Sequence, residues 1–194
     1  MLYWLGGLFL LFFQGCAQQN VKPVENYGLV HPKALYSLEH WVAEGRVAVR
    51  SPKESFSASL LWTHQQDVED VEDVEDVLEL TGPFGQGRVR ITVRKEIVIV
   101  DEGNRQQKYY QPVEKVFKSF FSVNVPVDSL RYWLLGVPSP GLSYELNNKG
   151  FLQAGWQVEY SLLQKAGSFY LPKKMRLNHQ QVKIKIIVDQ WNIK

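Results

Sequence analysis

Alternating apolar and polar residues recur along most of the chain and predict an antiparallel β-sheet. In the clearest example Val89, Ile91 and Val93 face one way, while the arginines and threonine around them face the other. This alternation is typical of a sheet with one apolar face and one face in water. Segments of this kind predict roughly nine to eleven strands, including a hairpin that turns at residues 102–104. An antiparallel sheet of that length is expected to curl into a barrel or half-barrel.

Apolar residues at helical spacing interrupt these strands. Val113, Val116, Phe117, Phe120 and Phe121 follow the i, i+3, i+4, i+7, i+8 pattern without a miss, which predicts an amphipathic helix. The predicted fold class is therefore mostly β with a small number of helices.

Two more helices are predicted, one after this segment and one before the first strand. Gly136 and Pro138 end the later helix, and Pro32 suits the first turn of the earlier one, which is expected to run to Trp41. The apolar side of the later helix consists of Val127, Leu130, Trp133 and Leu134. The fold is expected to contain three helices in all.

The first 16 residues are interpreted as a targeting segment. Leu2–Phe13 is an apolar run of 12 residues, which is too short to cross a bilayer core of about 30 Å as a helix. It leads to Gly15 and Cys16, the only cysteine of the chain. This arrangement resembles the lipobox of bacterial lipoproteins, in which the cysteine is acylated and becomes the mature N-terminus. We predict a signal peptide over residues 1–15 and lipidation at Cys16; the alternative is an apolar terminus with an incidental thiol.

The next segment is expected to be a polar tether over residues 16–31, followed by one domain over residues 32–194. A lone cysteine forms no internal disulfide, so the domain depends on its core. Ala17 replaces the Asp that, in proteins with such a lipobox, favours retention in the inner membrane. The resemblance therefore implies the outer membrane.

The charge of the chain is unevenly distributed. The net charge is +2, but Asp67–Asp76, with the sequence DVEDVEDVED, holds seven of the 20 acidic residues. The remainder is basic. A period of three fits neither a strand nor a helix, and calcium loops require a glycine and a spacing that this run lacks. We predict a solvated acidic loop insertion over residues 67–76 that tolerates deletion, rather than a metal site.

No catalytic motif is found in the sequence. The four histidines have no zinc-binding spacing, no GxSxG elbow is present, and Gly82–Gly87 lacks the lysine and following helix of a phosphate loop. The protein is predicted not to be an enzyme, although a pair of carboxylates from distant residues stays open as an alternative. Basic strands such as RVRITVR do not indicate nucleic-acid binding in a chain with an export signal.

The segment LTGPFGQG places a large apolar ring in the centre of a predicted turn. Gly82, Pro83 and Gly85 surround Phe84, and leaving a Phe in water forgoes roughly 1.5–3 kcal/mol of burial free energy. Either the loop folds back under the edge of the sheet, or the ring acts outside the domain.

From about Trp41 to Lys194 the chain resembles the LolB family of outer-membrane lipoprotein receptors. The ordered motifs that carry the resemblance are EGRVAV, SLLW, LTGPFGQG, VPVDSLRYWLLGVP, GWQVEY and VKIKIIVDQWNIK. The resemblance implies an open, unclosed antiparallel barrel with a helical lid over an apolar cavity. It also implies a monomer that accepts acylated lipoproteins from a LolA-type periplasmic carrier and inserts them among outer-membrane lipids, without a cofactor.

The resemblance also assigns roles to residues. In the family the loop that matches LTGPFGQG protrudes and carries an exposed apolar residue needed for insertion, and Phe84 occupies that position. The candidates for an acyl-chain cavity are Trp41, Val47, Val49, Leu60, Trp62, Val89, Ile91, Phe117, Phe121, Leu130, Trp133 and Leu134. The same apolar stripes are also compatible with a lipocalin-like protein that binds a small apolar ligand or free lipid, and with a structural lipoprotein whose core is filled.

Overall fold

Antiparallel strands dominate the computed structural model, which describes residues 21–29, 33–66, 74–95 and 97–193. Within these ranges twelve strands form one sheet. In chain order they are β1 (Val21–Pro23), β2 (His40–Arg50), β3 (Ser55–Gln66), β4 (Val74–Thr81), β5 (Val89–Arg94), β6 (Ile97–Asp101), β7 (Gln106–Tyr109), β8 (Tyr144–Asn147), β9 (Gly150–Gln153), β10 (Trp156–Ala166), β11 (Phe169–His179) and β12 (Val182–Ile193).

The sheet is open. Its spatial order is β7-β6-β5-β4-β3-β2-β12-β11-β10-β9-β8, and β1 pairs with β10 beside this path. Every pairing is antiparallel, and β7 and β8 form the two edges. The predicted open antiparallel sheet is therefore confirmed, and so is the hairpin of β6 and β7, in which the Glu102 amide donates to the Arg105 carbonyl at 2.9 Å.

Strand β2 shows why the sheet has one apolar face. Trp41, Ala43, Val47 and Val49 are buried, and the residues between positions 43 and 50 that alternate with them are exposed. Gly45 is also buried in this alternation, although it has no apolar side chain. A Cβ there would lie 2.0 Å from the Ile187 carbonyl oxygen, next to an irregularity in the register of β12. Glycine lets the two strands approach closely at this point.

Two of the three predicted helices are confirmed, as α1 (Val113–Phe121) and α2 (Val127–Leu135). Helix α2 ends at Gly136, whose φ of 91° is in the left-handed region where glycine has no steric penalty. No helix in the described part of the chain is long and apolar enough to cross a membrane.

The predicted helix from Pro32 to Trp41 is wrong. Pro32 lies outside the described residues, Lys33–Ser37 forms a short 3-10 helix, and Trp41 belongs to β2. The helical spacing of Ala34, Leu38 and Trp41 is a coincidence, because Trp41 begins the period-two burial of β2 and Leu35 is the buried residue of the 3-10 helix. Too few residues remain before the strand for a stable α-helix.

Part of the segment predicted as a tether packs on the domain. Val21–Pro23 pairs with Gln164–Leu162 of β10. Tyr27 is buried, stacks on Tyr160 with ring centroids 5.2 Å apart, and donates a hydrogen bond of 2.8 Å to the Gly136 carbonyl. The tether itself stays a prediction, and Cys16 lies outside the described residues.

Burial changes the titration of two tyrosines. Desolvation raises the pKa of Tyr160 and of Tyr27 well above the usual value, and the neighbouring tyrosines raise both further. In the unfolded chain both phenols ionise near pH 10, whereas in the folded protein they keep their protons. The unfolded state therefore binds fewer protons above that pH, and the free energy of unfolding is expected to fall as pH rises through it.

We expect the free energy of urea unfolding to decrease from neutral pH to above pH ~10, and to decrease less in Tyr160→Phe, which has no phenol to ionise at this position. Ultraviolet absorbance of tyrosinate should show Tyr160 and Tyr27 ionising only as the protein unfolds. Ionisation of all tyrosines together in the folded state would contradict their burial.

Candidate functional site

A small apolar cavity lies between the sheet and the helical segment. Its volume is about 60 Å³. All of its lining side chains are apolar: Val47, Val49, Phe56, Leu60, Trp62, Leu78, Leu80, Phe117, Phe121, Val123, Val125, Leu130, Ile184 and Ile186. A cavity with no polar group is expected to stay dry and to admit only apolar ligands.

The two sides of the cavity come from different parts of the chain. Strands β2, β3, β4 and β12 are neighbours in the sheet and turn alternate apolar residues toward it. Helix α1, the segment after it and Leu130 of α2 cover it from the other side. Phe121 reaches Phe56 on β3, with ring centroids 5.6 Å apart, and Phe117 lies 5.4 Å from Phe121.

The structure brings seven of the twelve predicted cavity residues together around this space. They are Val47, Val49, Leu60, Trp62, Phe117, Phe121 and Leu130. The other five do not line it: Val89 is partly buried, and the buried residues are Trp41, Ile91, Trp133 and Leu134. Trp41 packs on Trp191 and His64, and Trp133 packs on Phe151 and Trp156.

Sequence reasoning missed the remaining lining residues. Leu78 and Leu80 alternate on β4, and Ile184 and Ile186 alternate on β12, so the strand period was the signal that identifies them. Phe56 alternates with Leu60 and Trp62 on β3, and Val123 alternates with Val125 between the helices, so the same period also identifies these three residues. The missed residues are Phe56, Leu78, Leu80, Val123, Val125, Ile184 and Ile186.

Helix α2 is attached to its surroundings by polar contacts. The Tyr160 hydroxyl donates to the Trp133 carbonyl at 2.7 Å, and the Trp133 Nε1 donates to Gln153 Oε1 at 2.7 Å. Directly after the helix, the Gly136 carbonyl accepts the hydrogen bond from Tyr27. Buried hydrogen bonds of this kind are costly to break, since each leaves an unsatisfied polar group.

Helix α1 is attached differently. Its contacts with the sheet are apolar, through Phe117, Phe121 and Phe120, whose ring meets Tyr109 at 6.0 Å. Among the described residues, no side-chain hydrogen bond or ion pair joins α1 to a strand; the Ser119 hydroxyl donates within the helix, to the Val116 carbonyl. Apolar packing is non-directional, so displacement of α1 would break fewer specific bonds than displacement of α2.

A buried carboxylate joins α2 to the sheet. Asp76 on β4 accepts hydrogen bonds from Trp62 Nε1 at 2.8 Å and from Arg131 Nη1 of α2 at 3.2 Å. The His64 Nδ1 atom lies 3.0 Å from the same carboxylate. Burying a carboxylate is tolerated when it is paired and hydrogen-bonded, and here it has three partners.

The position of Asp76 corrects the boundary of the predicted acidic loop. Residues 67–73 lie outside the described residues, but Val74–Asp76 begin β4. Asp76 alternates with Leu78 and Leu80 on the buried face, and Glu75 pairs with Arg94. The period of three in the acidic run conceals the period-two alternation with which β4 begins. Deletion of the whole of residues 67–76 would therefore remove Asp76, the buried ionic partner of Arg131.

The LTGPFGQG loop carries its aromatic ring fully into solvent. Phe84 has a relative exposure of 101%, so the alternative of a ring folded under the sheet edge is wrong. The Gly85 amide donates to the Gly82 carbonyl at 3.2 Å, and Pro83 begins this turn. Phe84 has a φ of 62°, a conformation that costs a bulky residue about 1–3 kcal/mol. The turn therefore holds a large apolar ring in water at a cost in conformational free energy.

The described residues contain no group of three His, Cys, Asp or Glu that would hold a metal ion.

The pKa of Glu114, in the first turn of α1, is raised above its usual value. Burial is the principal cause, and the nearby charge of Asp128 raises the pKa further by a smaller amount. The notable features of the site are thus an apolar cavity, a cover and an exposed ring.

Comparison with known proteins identifies relatives of this chain. The family model described as outer membrane lipoprotein LolB matches residues 39–191. The outer-membrane lipoprotein LolB of Pseudomonas fluorescens is 28% identical over 195 residues, covering 94% of this chain and 92% of that protein. That of Pseudomonas syringae is 29% identical over 167 residues, covering 83% and 78%.

A solved structure of a LolA superfamily protein from Nitrosomonas europaea aligns with 88% of this chain and 90% of that chain. The TM-score is 0.43 and the sequence identity 6%, a similarity too low to support a conclusion.

Removal of the buried carboxylate tests the attachment of α2. We expect Asp76→Ala to lower the free energy of unfolding by about 3–5 kcal/mol, because it leaves the partly buried Arg131 and the Trp62 Nε1 without their acceptor. Glu75→Ala, which breaks a more exposed pair with Arg94, should cost at most about 1 kcal/mol. Chemical denaturation of both variants measures the difference, and equal losses would contradict the role of Asp76.

Proposed function

The chain belongs to the family of the outer-membrane lipoprotein LolB, and on that premise we propose that it accepts lipoproteins from a LolA-type periplasmic carrier and inserts them into the outer membrane. The structural part of the proposal depends on the wholly apolar cavity under α1, which only apolar packing attaches to the sheet among the described residues. The lipocalin-like alternative is not favoured, because the family is one of lipoprotein receptors.

The energetics of acyl chains explain why such a cavity is needed. Moving a chain into water costs roughly 0.8 kcal/mol per CH₂ group, so a 16-carbon chain costs on the order of 12 kcal/mol. A receptor that offers apolar surface as the chain leaves the carrier removes most of that barrier. Neither a metal nor covalent chemistry is required, and we propose a non-enzymatic transfer.

The cavity must enlarge to hold an acyl chain. At about 60 Å³ it is far smaller than such a chain. We propose that α1 moves away from the sheet and acts as the lid, while α2 keeps its bonds to Asp76, Gln153 and Tyr160. The chain would then take the place of Phe117 and Phe121 against β2 and β3, exchanging one apolar contact for another.

The exposed ring of Phe84 fits the second step, insertion into the membrane. Its conformation holds the ring in solvent, and burying a Phe in the membrane interface recovers part of roughly 1.5–3 kcal/mol. With acylation at Cys16 as the anchor, a monomer on the periplasmic face of the outer membrane would reach the bilayer through this loop.

A two-step handover experiment tests the proposal. The acylated full-length mature protein is placed in phospholipid vesicles, and a carrier loaded with radiolabelled lipoprotein is added. Cross-linking at successive times locates the label on the carrier or on this protein, and flotation locates it in the bilayer. We expect the label to pass from the carrier to this protein and then to the bilayer.

Phe84 variants separate the two steps. Phe84→Glu should still receive the lipoprotein but deliver it to the bilayer about tenfold more slowly or worse, since an apolar contact worth roughly 1.5–3 kcal/mol is lost. Phe84→Leu is the matched control and should deliver normally, and circular dichroism should show all three proteins folded. Normal delivery by Phe84→Glu would refute the role of the ring, and label that stays on the carrier would refute the acceptor function.

A further inference from the structure

Four cations lie together on the exposed face of the sheet without a carboxylate partner in the described part of the chain. In the register Arg50 is opposite Lys183, and Lys185 is opposite Arg176. The two pairs are two residues apart along the strands, so all four side chains start within about 12 Å of one another. Like charges directly opposite each other destabilise a sheet.

Other exposed arginines on or beside the strands are neutralised by carboxylates. Glu79 pairs with two of them, and the carboxylates of Glu75 and Asp189 pair with one each; the pairs are Arg46–Asp189, Arg88–Glu79, Arg90–Glu79 and Arg94–Glu75. Glu159 lies opposite Arg176 in the register but forms no ion pair with it within 4.0 Å. Unlike these paired arginines, Arg50 and Arg176 have no carboxylate partner among the described residues, and an external anion would relieve the repulsion among the four cations.

A groove connects these cations to the Phe84 loop. One part, of about 600 Å³, is lined by Phe84, Pro83 and Lys185, and the adjoining part, of about 630 Å³, is lined by Arg50, Arg176 and Lys183. Ala48, Ser57 and Lys185 line both parts. Small side chains form the floor, which leaves room for an anionic group between the basic ones.

We propose that this basic groove, defined by Arg50, Arg176, Lys183 and Lys185, binds the phosphate groups of anionic phospholipids at the membrane surface that Phe84 enters. The inference rests on the proposed function, which brings the loop to the bilayer. An apolar ring in the interface and basic side chains at headgroup level are two signals that act together in membrane binding. The groove orients the domain, and each of its cations contributes about a fivefold gain in membrane contact.

The test measures where the groove lies relative to the bilayer. The acylated full-length mature protein is used, because acylation blocks the thiol of its only cysteine. A fluorophore is attached to Gln181→Cys, in the exposed turn beside Lys183, or to Ser168→Cys, at the far end of β11. Vesicles of phosphatidylcholine, with or without phosphatidylglycerol, carry a quencher on a fixed fraction of the headgroups.

We expect phosphatidylglycerol to increase quenching at position 181 and not at position 168, and high salt to remove the increase. Lys183→Gln with Lys185→Gln should reduce the ratio of docked to free domains by about 25-fold. Lys108→Gln with Lys165→Gln, which removes the same charge from exposed lysines outside the groove, should leave it unchanged.

The proposal would be overturned if phosphatidylglycerol did not change quenching at position 181, or if quenching there fell equally in both double variants. A change at position 181 that requires the loaded carrier instead of the anionic lipid would also overturn it, and would assign the groove to an acidic protein. Handover is scored separately without phosphatidylglycerol, so a failure of the acceptor function is distinguishable from a failure of the groove.

Discussion

The apolar face of an open sheet must be covered, and this requirement governs the rest of the structure. A closed barrel would cover its own interior, but here β7 and β8 stay unpaired with each other and two helices of nine residues each cover part of the curved face. Within the described part of the chain, polar bonds fix α2, whereas only apolar packing attaches α1 to the sheet. The hydrophobic contact that stabilises the resting fold is, in the proposed function, the one that an acyl chain would replace.

Two exposed features carry a cost in the isolated protein. Phe84 is strained and leaves a large apolar ring in water, and the cations of the basic groove repel one another across β2, β12 and β11. Both costs would decrease in the proposed contact with an anionic bilayer, where the ring would leave water and the basic side chains would bind phosphates. Their position along one groove would give the domain a defined side toward the bilayer in the proposed membrane contact.

The strand and helix periods predicted most of the fold, since burial on one side requires them. They failed where one residue satisfies two periods, as Trp41 does at the end of the expected helix, and where composition hides a period, as at Asp76. The partners of Asp76 come from β3 and α2 and depend on tertiary structure. The exposure of Phe84 followed from family resemblance, and no spacing of apolar residues distinguishes a cavity from a filled core.

Whether an acyl chain occupies the space under α1 is the central question, and photo-cross-linking from α1 answers it most directly. A benzophenone amino acid replaces Phe117, which lines the cavity, or Lys118, its exposed neighbour, in the full-length mature protein. After handover of a lipoprotein with radiolabelled acyl chains, we expect light to attach the label at position 117 and not at position 118. Transfer of the lipoprotein without cross-linking at position 117, or equal cross-linking at both positions, would contradict the account.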